Sequence, residues 1–434
     1  MRLPGRLAAA IEVLTEVETR HRPVSEALKA WGIANRFAGS GDRAAIGNLV
    51  YDALRGRASH AWAMGEDTPR ALVLSVAVRD WGQAPAALAE SLTADSHAPA
   101  PPTTEELARL SAADPLADAP GHVRADLPEW TASRFEASLG RDWIAEGQAL
   151  AARPPLDLRV NTLKSNRERV VKALHRLAPE ETAISPIGIR FPAGPGDVRT
   201  PNVLADEGYL KGWFEVQDQG SQLVSLLAGA APGEQVLDLC AGAGGKTLAM
   251  AAAMGNKGQI FAYDSERQRL APIYDRLKRN GVRNVQVRAP EPGALDDLAG
   301  KMDRVLIDAP CTGTGTWRRR PDTKWKLTEA QLAQRVEQQR ALLAEAVRFL
   351  KPGGVLVYVT CSLLPDENAG QIRSFLAAQP DFLAKDPKAL WQQSFPAAVE
   401  PVWSDVGLTL TPRTTDTDGF FISLLRRQPR ASAK

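Results

Sequence analysis

Cys240, Cys311 and Cys361 are the only three cysteines in 434 residues, and each stands where an apolar stretch gives way to a polar loop. The stretches are "QVLDLC", "DRVLIDAPC" and "GVLVYVTC". A single cysteine in such a place is ordinarily a small packing residue. Three on strand ends in one segment ask for chemistry. There is no C-x-x-C pair, which argues against a cysteine-based zinc site, and the wide spacing makes no disulfide framework. All five histidines (His21, His60, His97, His122, His175) lie in the first half of the chain, so no local imidazole can serve these thiols as base or as metal ligand. A Cys-His hydrolytic mechanism is set aside, and no metal is expected.

The first of these strands runs into "DLCAGAGGKT", Asp238 to Thr247. Glycines between a strand and a helix let a ligand approach the backbone at a helix N-terminus. Two ligands compete for this loop. A phosphate-binding G-x-x-x-x-G-K-[ST] loop has its Gly245-Lys246-Thr247, but its first glycine falls on Cys240, so the motif is incomplete. An NTPase stays open as the alternative because "RVLIDAP" could supply the accompanying acid. An S-adenosylmethionine site needs the glycine loop and an acid ending the second strand, toward ribose hydroxyls. The expected holders are Cys240, Ala241, Gly242, Ala243, Gly244, Gly245 and Lys246, with Asp264 ending "QIFAYD", Arg269 beyond it, and Asp308 after strand four.

Two thiols, a methyl donor and no histidine fit one reaction well. Carbon 5 of cytosine is a weak nucleophile until a thiolate adds to carbon 6, which turns the ring into an enamine able to attack a sulfonium methyl. The carbon 5 proton must then leave and the thiolate be expelled, a step a second thiol could assist. A free thiol titrates near 8.5, so the nucleophile needs a cation or hydrogen-bond donors nearby. Lys246 is a candidate, and Asp308 could hydrogen-bond the protonated ring edge.

The elements that position these residues can be read from periodicity. From about Asp218, strands "QVLDLC", "QIFAYD", "VQVRA", "DRVLIDAP" and "GVLVYVT" alternate with helices "KTLAMAAAM", "SERQRLAPIYDRLKRNG" and "TEAQLAQRVEQQRALLAEAVRFL", which predicts a parallel sheet. "GFFISLLRR" is expected to close it. Residues 1 to about 90 read as helices, with Asp42, Thr68 and the Thr103–Glu106 box as N-terminal caps and "TADSHAPAPPTT" as a linker. Between them, "PLDLRVNTLK", "SNRERVVKALHRL" and "ISPIGIRF" read as strand, helix and strand, with Arg153, Arg159, Lys164, Arg167 and Arg169 as a possible nucleic-acid-facing set. Net charge is only +2, so any nucleic-acid surface must be local. No run of 18 apolar residues and no signal-peptide pattern is present, so a cytoplasmic enzyme with no membrane partner is expected.

"DLCAGAGGKT", "DAPCTGTG", "RRRPDTKW", "VTCSLLPDEN" and "DGFF", in this order, resemble the RNA cytosine-5 methyltransferases of the Nop/Sun family, and within it the bacterial small-subunit rRNA enzymes. The resemblance covers nearly the whole chain. It implies an α/β protein with a Rossmann-like S-adenosylmethionine-dependent domain over 216–430. A NusB-like helical RNA-binding domain with its linker precedes it over 1–125, and a small RRM-like α+β segment over 126–215. "DRAAIGNLVYDALRGR", "RPPLDLRVNTLK" and "WFEVQDQGSQLV" carry the match in those parts. It further implies Cys361 as nucleophile, Cys311 as the thiol that promotes product release, small-subunit rRNA as partner and a monomer. Two departures stand out. The family's A-A-P-G-G-K loop reads Ala241-Gly242-Ala243-Gly244-Gly245-Lys246 here, and Pro290 occupies the place of an aspartate after strand three. They imply a paralogue, with a catalytically reduced RNA-binding or assembly factor as a second reading. "WRRRPDTKWK", Trp317 to Lys326, is read as a phosphate-contacting basic loop.

Overall fold

The computed structural model describes residues 1–429, so Arg430, the last residue of the expected catalytic segment, lies outside it. The chain forms two compact units. One comprises Met1–Pro154, Ala193–Thr200 and Trp317–Lys326; the other comprises Pro155–Pro192, Pro201–Thr316 and the described residues from Leu327 onward.

The first unit is helical. Helices Leu3–Arg20, Ser40–Arg55 and Pro69–Arg79 enclose a core of Leu7, Leu14, Ile46, Leu49, Leu72 and Val76. Thr68 caps its helix through Ala71 N, and Thr103 with Glu106 forms the expected capping box. Asp42 does not cap. Its helix begins at Ser40 after Gly39, and Asp42 sits in the first turn, taking ion pairs from the Met1 amino group at 3.1 Å and Arg6 at 2.9 Å. An acid there complements the helix dipole just as well.

"WRRRPDTKWK" is corrected more sharply, because it packs inside this unit. Trp317 is buried and stacks on Phe135 at 5.8 Å. Lys324 is 0 % exposed and donates to the carbonyls of Arg55 and Asp126, each at 2.7 Å. Burial pushes its ammonium down to about 8, with Asp126 opposing that shift. Trp325 donates to Leu54 O at 2.6 Å. Arg318 is also buried, which leaves Arg320 and Lys326 as the segment's exposed cations.

The second unit holds two sheets. The smaller is antiparallel, with order β2-β3-β1-β4: β1 is Leu156–Val160, β2 Glu180–Glu181, β3 Gly188–Phe191 and β4 Phe214–Val216. "ISPIGIRF" pairs only from Gly188; Pro186 has no N–H to give, and the amides of Ile184 and Ser185 bond Gln219 Oε1 instead. The larger sheet is built on the parallel strands β5 (Gln235–Asp238), β6 (Gln259–Tyr263), β7 (Val285–Arg288), β8 (Met302–Asp308) and β9 (Leu350–Thr360). To these are added β10 (Phe382–Ala384), β11 (Val402–Trp403), β12 (Leu408–Leu410) and β13 (Phe420–Arg427). The order is β11-β12-β13-β9-β8-β5-β6-β7, with β10 also on β13. So "GFFISLLRR" is an interior antiparallel strand rather than the closing edge; the strands beyond it are two or three residues long, too short to show a period. The helix read from "SERQRLAPIYDRLKRNG" breaks at Pro272 into Arg267–Leu270 and Ile273–Asn280, since proline cannot donate within the turn.

The expected basic edge of the small sheet is largely spent inside the protein. Arg159 donates to Gln217 Oε1 at 2.6 Å and Gly245 O at 2.7 Å, and Lys164 to Arg279 O at 2.6 Å. Arg167 pairs with Glu181 at 2.7 Å, and Arg153, in the helical unit, pairs with Asp52. Arg169 stacks over the Trp213 ring at 4.0 Å.

Glu215 on β4 fastens the small sheet to Ile273–Asn280. Its carboxylate accepts from Arg276 at 2.9 Å, from Asn280 at 2.5 Å and from Arg279. Burial by itself would raise its pKa, but Arg276, Asn280 and Arg279 outweigh that and hold it below the ordinary 4.5. A depressed carboxylate stabilises fully above its unfolded pKa and loses that contribution as pH falls through the folded value. Urea unfolding of wild type should therefore show stability falling on acidification below about pH 4.5, and Glu215→Gln should flatten part of that limb. At pH 7 the same variant should lose about 3 kcal/mol, because two guanidiniums keep no anion.

Candidate active site

Strands β8 and β9 run parallel, with Asp308 opposite Val359, and their C-terminal ends open on the same side of the sheet. Ligand crevices of open parallel sheets lie there. Cys311 follows β8 and Cys361 follows β9, and the two Sγ atoms are 3.4 Å apart. The hydrogen bond with Cys361 and burial together push the Cys311 thiol well above its usual range. Gly315 N donates to Cys361 O at 2.9 Å, and Leu363 N to Thr314 Oγ1 at 2.8 Å, so the two thiol loops are laced to each other. A side chain at Gly315 would meet Gly419 O at 2.2 Å, which ties "DGFF" to the same place.

The glycine loop winds between β5 and the helix Gly245–Ala253. Gly242 and Gly244 have φ of +50° and +82°, a region open to glycine at little cost. Gly242 N donates to Asp264 Oδ2 at 2.9 Å and Gly244 N to Ala241 O at 2.8 Å. Two guanidiniums hold the loop's carbonyls: Arg276 on Ala243 O at 2.8 Å and Arg159 on Gly245 O at 2.7 Å. Asp264 is buried, its other oxygen accepting from Glu266 N at 2.9 Å, while the half-exposed Arg269 lies 4.0 Å from it. Lys246 Nζ binds Asp308 Oδ2 at 2.6 Å and stands over the Phe420 ring. Cys240 faces the apolar cluster of Leu237, Leu239 and Phe261, where burial raises its thiol; it lines the loop and is not paired with the other two. Beyond β7, the residue next to Pro290, Glu291, pairs with Arg267 at 3.3 Å.

Sequence reasoning did not assign three neighbours. Asp238 accepts from Thr247 Oγ1 at 2.6 Å and leaves Oδ1 without a partner, and burial raises it to about 7. Glu367 and Asn368 are buried between the thiol loops. Their partners lie as far as 55 residues away, and no local pattern carries that pairing. Among the described residues no cluster of His, Cys, Asp and Glu could hold a metal ion, and no helix is long and apolar enough to cross a membrane.

Residues 225–426 match the family described as 16S rRNA methyltransferase RsmB/F, and residues 127–198 match the ferredoxin-like domain of RsmF/B-like methyltransferases. The chain belongs to the RsmB/F family. A probable ribosomal RNA small subunit methyltransferase B of Synechocystis is 34% identical over 309 residues, 69% of this chain and 66% of that protein. The chain thus spans just under two thirds of the length of the curated relatives it matches first. The crystal structure of PH0851 superposes with a TM-score of 0.73 at 25% identity, over 98% of this chain and 99% of that one. A methyltransferase homologue from Pyrococcus horikoshii does so with 0.58 at 28% identity, over 71% and 97%. The sheet and its glycine loop are accordingly those of a Rossmann-like methyltransferase domain, preceded by helices.

Gly315→Ala tests the lacing of the family member's thiol loops. A Cβ 2.2 Å from a backbone oxygen must displace one strand end. The variant should lose about 2 kcal/mol, the cost of an overpacked site, read as a lower midpoint in urea with unchanged slope.

Proposed function

We propose that this protein methylates carbon 5 of a cytidine in RNA, with small-subunit rRNA as the substrate, through a covalent thiol adduct. The observation that carries the reading is the 3.4 Å pair of thiols at adjacent parallel strand ends, beside a glycine loop.

The site's residues fit S-adenosylmethionine. Two left-handed glycines leave the backbone of Gly242–Gly245 bare, Asp264 ends the second strand, and the first amides of Gly245–Ala253 offer positive potential. When bound, that cofactor supplies an electrophilic methyl group. The phosphate-loop alternative loses ground, because the Thr247 hydroxyl is spent on Asp238 and Lys246 on Asp308.

Cys361 Sγ adds to carbon 6 of the target ring, which makes carbon 5 the nucleophile. Asp308, held by Lys246, accepts a hydrogen bond from the protonated ring edge. Cys311, one hydrogen bond away, assists loss of the carbon 5 proton, and the Cys361 thiolate is then expelled. The target base must leave its stack to reach half-buried thiols, so it belongs to a loop or is flipped out. In this reading, 1–125 and 126–215 present the RNA to the catalytic segment 216–430.

Wild type, Cys311→Ala and Cys361→Ala are incubated with S-adenosylmethionine and unmodified small-subunit rRNA and run on a denaturing gel. Cys311→Ala should accumulate a denaturation-resistant RNA adduct, and Cys361→Ala should form none and transfer no methyl group. Methylation by Cys361→Ala at a rate near wild type would sink the reading. A separate check is Asp264→Asn, whose amide oxygen can still accept from a loop N–H, and which should weaken S-adenosylmethionine binding by about tenfold in calorimetry.

A further inference from the structure

Both neighbours of Cys361 are tied to Asn368, while of the neighbours of Cys311 Thr312 is tied to Glu367 and Pro310 to Gln339, a partner of Glu367. Glu367, 0 % exposed, reaches the Cys311 side. Its Oε1 accepts from Thr312 N at 2.8 Å and from Gln339 Nε2 at 3.0 Å, and its Oε2 accepts from Thr312 Oγ1 at 2.5 Å. The same Gln339 amide donates to Pro310 O at 3.0 Å, so both neighbours of Cys311 are fixed. Asn368, 2 % exposed, reaches the Cys361 side. Its Oδ1 accepts from Thr360 Oγ1 at 2.5 Å, and its Nδ2 donates to Ser362 O at 2.8 Å. Tyr358 OH, donating to Glu367 O at 2.7 Å, anchors the dipeptide Glu367–Asn368 to β9.

We infer that Glu367 and Asn368 are positioning residues with divided tasks: Asn368 aims the Cys361 thiol for adduct formation, and Glu367 aims the Cys311 thiol for adduct release. This rests on the proposed function. The division follows from where most of each side chain's bonds lie: Glu367 on Thr312 and Gln339, with Ser362 as a further partner, and Asn368 on Thr360 and Ser362 alone. Neither side chain hydrogen-bonds a sulfur atom, although the Glu367 carboxylate lies near enough to help raise the Cys311 thiol. Each sets where a thiol stands, and a thiol displaced by a fraction of an ångström loses much of its reactivity. The burial that raises the Glu367 carboxyl above its ordinary range is offset in part by Ser362, Thr312 and Gln339, so its acceptors are committed. A substitution there frees the Cys311 loop and one bond of Ser362, and leaves Asn368 its own bonds to Thr360 Oγ1 and Ser362 O.

The test measures adduct formation and release separately, in single-turnover reactions with rRNA and S-adenosylmethionine sampled on denaturing gels. Glu367→Ala should form adduct at near the wild-type rate and release it about tenfold more slowly, as expected for losing charge-assisted hydrogen bonds. Glu367→Gln should restore release, because an amide oxygen still accepts from Thr312 N and Gln339 while its NH2 donates to Thr312 Oγ1. Asn368→Ala should slow formation about tenfold and accumulate nothing. Thr312→Val, which removes one hydroxyl, decides the matter if Glu367→Ala does not fold, and should show the same slow release in milder form. Equal slowing of formation and release in Glu367→Ala, or wild-type release in Thr312→Val, overturns the assignment. If Cys311→Ala itself traps no adduct, the thiol roles fall and this division falls with them; if it traps adduct and Thr312→Val does not, the division alone fails.

Discussion

The parallel pairing of β8 with β9 is the constraint on which the site depends. It brings Asp308 opposite Val359 and carries the pairing one step further, to Ala309 N on Val359 O at 2.8 Å. Two chain segments 50 residues apart therefore leave the sheet side by side, both pointing out of its C-terminal edge. Beyond that point the ladder ends, and the backbone groups of both loops need other partners. Side chains supply them: Thr314, Glu367 and Asn368, with Gln339 from the helix Glu329–Val347. A buried polar network of this kind is costly if half made and fixes one geometry if fully made. The thiol pair is a consequence of that completeness.

The glycine loop illustrates the same dependence from the other side of β8. Where the resemblance read from the sequence implies a stiffening proline, this loop has Ala243. External ties stand in for it: Arg276 on Ala243 O, Arg159 on Gly245 O, Asp264 on Gly242 N. Arg159 comes from β1 of the small sheet, and Arg276 is itself held by Glu215 of β4. So the small sheet reaches the loop through two guanidiniums, and its stability and the loop's shape are linked. A loop preset by covalent geometry would need neither.

Much of this was legible in the sequence because it is local. Strand ends, the glycine run, the capping box at Thr103 and the alternation of strands with helices depend on neighbours a few residues apart, and all appear. The thiols could be placed on one edge because a parallel sheet has one edge at which its strands end. What escaped is what depends on distant partners. The capping assignment of Asp42 missed by three residues: the helix is capped at Gly39, and the Asp42 carboxylate pairs with Met1 and Arg6, which are distant in sequence. The strands β10 to β12 are too short for any period. The tasks of Glu367 and Asn368 depend on pairings with Thr312 and with both flanks of Cys361, which no spacing announces.

The cations teach a different lesson. Arg159, Lys164, Arg167 and Lys324 look from the sequence like a surface waiting for phosphate, yet each is committed to a carbonyl or a carboxylate within the protein. Lys324 is the extreme case: an ammonium with three donors serves as a hub for the carbonyls of Arg55 and Asp126, where an apolar side chain would leave them unpaired. Counting charges along a segment measures only how many cations the chain has. Whether they face water depends on how many backbone acceptors the fold leaves unpaired at loop ends, and this fold, with its many irregular connections, leaves several. In a nearly neutral chain, only the cations that remain after those acceptors are served keep their charge for solvent or a ligand. Arg169, spread over the Trp213 ring, and the exposed Arg320 are cations of that kind, whereas Lys326, although exposed, still gives a hydrogen bond to Arg22 O at 3.3 Å.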